Sequence, residues 1–97
     1  VSRTVTWKKN LKLDPKDVSD DYLLAIDWSD KLGTDTIVSA DVSSDSGITT
    51  TVYSSTDTTS IILISGGEDG KSYTVTAKVY TAVQHFERSV IVPVEEL

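Results

Sequence analysis

A run of glycines hands over to an alternating strand across residues 64–79, and this handover constrains the chain more than any other stretch. Gly66, Gly67 and Gly70 crowd a turn that also holds Glu68, Asp69 and Lys71. After it, Tyr73, Val75, Ala77 and Val79 alternate with Thr74, Thr76 and Lys78, the period of a half-buried strand. Tyr73 stands on the apolar side of that alternation, so its ring is expected in the core at the corner where the strand begins.

A tyrosine entering a late strand directly after a glycine-containing turn is the corner device of immunoglobulin-like and fibronectin-like sandwiches. The rest of the chain suits that reading. Residues 22–28 place Tyr22, Leu24, Ile26 and Trp28 on one parity, with Trp28 expected in the core. Residues 37–42 form a second expected strand with Val38, Ala40 and Val42 facing in, residues 48–53 a third, and residues 60–65 a fourth. The fourth holds four consecutive aliphatic residues, Ile61 to Ile64, as in a strand covered on both faces or an edge buried by a partner. Residues 73–81 and 85–94 complete the set, and polar turns separate them all. The expected architecture is all-β: a single immunoglobulin-like or fibronectin-like β-sandwich of six to eight short strands, preceded by an extended N-terminal arm. Within residues 1–13 a short strand is expected near residues 4–8. Residues 1–13 are assigned to the arm and 14–97 to the sandwich domain.

Composition supports sheet over helix. The chain has 97 residues, room for one core, and 26 of them are Ser or Thr, which favour strands and turns. Cysteine is absent, which removes disulfides and thiolate metal sites. No apolar run of bilayer length is present, so the expectation is a soluble chain without a membrane partner. Charge divides sharply. Residues 1–16 carry Arg3, Lys8, Lys9, Lys12 and Lys16 against Asp14, whereas residues 17–75 carry eleven acids against Lys31 and Lys71. The acidic body would repel nucleic acid. The basic arm reads either as a solvated terminus or as a segment docking on an acidic neighbour, with Arg3, Trp7, Lys8, Lys9 and Lys12 as the contact candidates.

The motifs that invite chemistry are weak. A phosphate loop needs a glycine where Ser65 stands, and it leads into a helix, whereas here a strand follows Gly70, Lys71 and Ser72. Asp17, Asp20, Asp21, Asp27, Asp30 and Asp35 could offer oxygens to calcium, but without an EF-hand pattern they read first as turn and cap carboxylates. His85, the single histidine, lacks any nucleophile-elbow motif around a serine and is expected to face outward opposite Phe86. Glu87 and Arg88 read as a cross-strand ion pair, exposed like most such pairs, or as a partner contact. No catalytic, cofactor or metal residue is assigned. Trp28, Gly66, Gly67, Gly70 and Tyr73 are assigned structural roles.

The order of several short motifs resembles a family. Asp14, Pro15, Lys16 and Asp17, then Asp21 and Tyr22, then Asp27, Trp28 and Ser29 form a "DP…DY…DWS" opening. Asp35, Thr36 and Ile37 follow, then Leu63 to Gly67 with Gly70, Tyr73 and Val75, and finally Glu87, Arg88 and Ser89. In order and spacing this is similar to small tailed-bacteriophage proteins often called fiber–tail adaptors, over about residues 14–92. Thr34 stands where the family often has glycine, with Gly33 one position earlier, and the first 13 residues fall outside the resemblance. The resemblance implies a non-enzymatic virion structural protein that bridges tail and fiber components, a homo-oligomer in the particle, with capsid decoration or cementing as a variant. A glycan- or ligand-binding sandwich module of a bacterial surface protein is the alternative, with Tyr53 and Tyr80 as its only outward aromatic candidates.

Overall fold

A computed structural model describes residues 2–5, 11–12, 16–17 and 21–96, with side chains at 21 and 23–96. The strands are β1 (Ser2–Val5), β2 (Leu11–Lys12), β3 (Lys16–Asp17), β4 (Tyr22–Asp27), β5 (Ser39–Ser44), β6 (Ile48–Ser55), β7 (Thr59–Gly66), β8 (Ser72–Tyr80) and β9 (His85–Glu95), with one helical turn, α1 (Ser29–Leu32). One sheet runs β1-β4-β7-β6 and the other β2-β9-β8-β5, with β3 also on β9. Pairings among β4, β7 and β6, and among β5, β8 and β9, are antiparallel. Those triplets reproduce the B-E-D and C-F-G order of the immunoglobulin sandwich. The backbone of β1 lies parallel to β4, and β2 and β3 lie parallel to β9. Residues 2–5 and 11–12 therefore each extend a different sheet, and the expected strand near residues 4–8 is found at Ser2–Val5, with Thr6, Trp7 and Lys8 outside the described residues.

Alternation builds the core. Leu24, Ile26 and Trp28 face Val75, Ala77 and Val79 and Val90, Val92 and Val94 across the two sheets, with Ser60, Ile62 and Ile64 completing the inner layer. Each such aliphatic side chain contributes roughly 1.5–3 kcal/mol when fully buried. The aliphatic run of β7 divides by parity: Ile62 and Ile64 are fully buried, while Ile61 and Leu63 are half-buried on the outer face. Trp28 takes the expected core position and donates its indole N–H to the buried Ser60 hydroxyl at 2.9 Å.

Tyr73 forms the corner. Its ring is buried and its hydroxyl accepts the Glu68 N–H at 3.0 Å. Gly47 and Gly67 flank the ring, and each has a positive φ. A Cβ at Gly67 would stand 2.8 Å from Val94 Cγ2 and 3.3 Å from the tyrosine ring, and one at Gly47 would stand 3.1 Å from the ring. Glycine is required at Gly67 by space as well as by backbone conformation, and at Gly47 by backbone conformation in a tight fit.

Three expectations change. Val38 does not face in: it is 70% exposed and Ile37 is buried in its place. The chain crosses between sheets at that point, with the Ile37 N–H bonded to Asp57 O and the Val38 N–H to Tyr80 O, so strand parity begins only at Ser39. The third strand runs beyond Tyr53 to Ser55 because a bulge between Val52 and Ser54 absorbs Tyr53 and pairing with β7 continues. Glu87 keeps the expected cross-strand pair but Arg88 is not exposed, since neighbours on a strand point to opposite faces. Glu87 meets Lys78 across the strands at 3.6 Å, whereas Arg88 is buried on the inward side, opposite the small Ala77. Burial lowers the Arg88 pKa.

Candidate functional site

The connections at one end of the sandwich are tied to one another. The β8–β9 hairpin has four loop residues, Thr81, Ala82, Val83 and Gln84. The Thr81 N–H donates to Gln84 O at 2.8 Å, and Thr81 Oγ1 accepts the N–H groups of Val83 and Gln84 at 3.2 and 2.9 Å. The β6–β7 connection repeats the arrangement. There the Thr56 N–H donates to Thr59 O at 2.8 Å, and Thr56 Oγ1 accepts from Thr58 and Thr59 at 3.4 and 3.1 Å. A threonine hydroxyl thus satisfies the two backbone donors that each tight turn would otherwise leave to water.

The segment between β4 and β5 joins these hairpins. Asp27 Oδ1 accepts the Ser29 N–H at 2.9 Å, and the Trp28 carbonyl accepts from Lys31 and Leu32 to close α1. That hydrogen bond holds the Asp27 carboxyl below its ordinary pKa. Further along, Asp35 Oδ2 accepts from Gln84 Nε2 at 2.7 Å. Trp28 N–H bonds to Thr58 O and Ile37 N–H to Asp57 O, while Val38 N–H bonds to Tyr80 O. Three separate loops are therefore held as one surface.

That surface carries apolar side chains outward. Val38 is 70% and Val83 79% exposed, and Ala82 is exposed beside Val83. Tyr53, 62% exposed, stands on the β6 bulge three residues before Thr56. Among the described residues of these loops, Asp30, Asp35 and Asp57 stand against one cation, Lys31. A shallow hollow lined by Lys78, Tyr80, Thr81, Val83, Gln84 and His85 adjoins the hairpin, with the Tyr80 and His85 rings edge to face at 6.0 Å. Rigidly held apolar tips with a charged rim can dock a protein without first ordering a loop.

Little of this end is legible in the sequence: spacing leaves a short connection between the strands expected at residues 73–81 and 85–94, and parity turns Val38 inward. The legible signal was a threonine opening each hairpin, with a valine at the tip of the second. Of the expected contact residues, Arg3 and Lys12 have their backbone in β1 and β2, whereas Trp7, Lys8 and Lys9 lie outside the described residues. Gly66, Gly67 and Gly70 all have positive φ in the β7–β8 turn, at the opposite end. There Lys71 faces Glu68 at 3.0 Å, which raises the Lys71 pKa. Of the carboxylates weighed for calcium, Asp27 accepts the Ser29 N–H and Asp35 accepts from Gln84, as turn carboxylates do. Among the described residues no three metal-ligating side chains converge. Tyr53 and Tyr80 belong to different sheets and make no common platform.

Residues 16–93 match the family described as Podophage GP4 fiber-tail adaptor protein gp77. The matched span runs from β3 into β9 and so takes in all six strands of the two antiparallel triplets. No match was found among curated proteins or among solved structures. With most of its length inside that family, the chain belongs to the podophage fiber-tail adaptors and is a structural component of a phage virion.

Proposed function

We propose that the protein bridges tail and fiber components as a non-catalytic adaptor, working entirely through protein–protein contacts. The observation that carries this is the family match across both sheets of the sandwich. The fold supports it: the outward-facing apolar groups sit on loops held at fixed geometry. The basic segment with Arg3, Trp7, Lys8, Lys9 and Lys12 supplies a second contact, onto an acidic neighbour, while the acidic body disfavours nucleic acid. Several copies act together in the particle, since one domain of this size offers limited contact area and repetition adds strength.

The test is binding of the full chain to fibers and to fiberless tails purified from the phage. Association with both, and fiber attachment to tails only when the chain is present, is the expected result. Association with neither would overturn the adaptor role, and association with capsids alone would replace it with decoration.

A further inference from the structure

The unextended edges of both sheets are blunted against strand addition. In β5 the Asp41 Oδ1 accepts the Val42 N–H at 2.8 Å and sets a charge in the middle of the edge. In β6 the Tyr53 bulge interrupts the ladder, and Ser44 Oγ reaches the Ile48 carbonyl at 3.4 Å. Bulges and edge charges are common protections against pairing with another chain. The opposite edges carry β1 and the β2–β3 segment. Docking by an added strand is therefore disfavoured at the β5 and β6 edges, which directs attention to the loops.

We propose that the loop end bearing Val38 and Val83 is a docking knob for a protein surface with an apolar socket and a basic rim. The inference deepens the adaptor reading and rests on it for the identity of the assemblies that would carry the socket. Singly exposed valines are ordinary on a protein surface. Here two of them stand on loops already joined through Asp35 to Gln84 and through Val38 N–H to Tyr80 O, so docking has little chain left to order. Charge on the described residues selects the partner: Asp30, Asp35 and Asp57 outnumber Lys31, and Lys78 beside Val83 is offset by Glu87, which favours a basic rim. A second copy meeting end to end would bring the three carboxylates of each chain together, which disfavours self-docking. Size sets the strength. The molecule measures 22 × 21 Å across its long axis, less than the roughly 800 Å² that each side brings to a standard interface. One knob therefore binds weakly, and several copies presented together bind well.

The test compares the full chain with Val38→Asp, Val83→Asp, the shape-preserving Val83→Thr, and Asp57→Lys. Each is measured against purified fibers and fiberless tails, with urea midpoints as folding controls. The expected result is at least a tenfold loss of affinity for one of the two assemblies in both aspartate variants. Val83→Thr should lose a smaller factor, Asp57→Lys should bind more weakly with a shallower salt dependence, and all urea midpoints should stay near wild type. Wild-type binding by both aspartate variants would overturn the knob while leaving the bridge intact. Tighter binding by Asp57→Lys would overturn the basic rim. An oligomer that falls to monomer in Val83→Asp by light scattering would make a second copy the occupant and overturn the proposed partner. A wild-type chain that binds neither assembly would remove the bridge and the knob together.

Discussion

The two ends of the sandwich are secured by different means and treat their apolar groups in opposite ways. At the corner end, positive-φ glycines let the backbone turn around the Tyr73 ring, and strand termini are joined by backbone bonds such as Gly70 N–H to Val94 O and Val94 N–H to Lys71 O. Asp45 adds to this by accepting the Thr74 N–H, and Asp69 by accepting the Glu96 N–H. The aromatic there points inward. At the loop end, threonine hydroxyls cap the turns, Asp35 links two of the three connections, and the valines point outward. Burial of Tyr73 explains the corner through stability alone. Stability gives no reason for Val83 at a hairpin tip, and the proposed docking knob supplies one.

The comparison can be broken most decisively at Gly67. A Gly67→Ala change places a methyl against Val94 and the Tyr73 ring at a positive φ, with an expected loss of at least ~2 kcal/mol in urea unfolding. Trp28→Phe should cost about 1–3 kcal/mol by leaving the buried Ser60 hydroxyl without its indole donor. Tyr73→Phe removes only the bond to the Glu68 N–H, and a loss of ~1 kcal/mol is expected. Acid sharpens the loop end. The Asp27 carboxyl has a folded pKa below its unfolded value, so the stability it lends is full above about pH 4 and is lost as pH falls through the folded value. Asp27→Asn should therefore flatten the acid limb of a thermal-midpoint profile by slightly lowering the plateau above about pH 4, and leave the acid end little changed. Smallest of all is Val83→Asp, expected to move the urea midpoint by no more than about 0.5 kcal/mol. A large destabilisation there would return Val83 to the fold and erase the distinction between the ends.

Much of the sheet was legible because burial follows parity wherever a strand lies flat. Leu24, Ile26 and Trp28, and likewise Tyr73 to Val79, could be assigned from alternation alone. Parity fails where the chain leaves the ladder. Val38 was misplaced because Ile37 and Val38 bond to different sheets, and the third strand was ended early because a bulge at Tyr53 adds a residue with no mark in composition. Arg88 escaped for another reason: a charged residue on an inward parity position looks like surface until its partner across the ladder, Ala77, is known to be small.

By itself the sequence determined the all-β class, the tyrosine corner with its glycines, and an ordered set of motifs specific enough to resemble one family. These depend on local spacing and on residue types with few alternatives. The tertiary structure alone decided which loops meet at one end, that Asp35 and Gln84 join across 49 positions, and that Val38 and Val83 share a surface. Contacts between distant segments follow from strand order and register, and no local pattern of side chains encodes them.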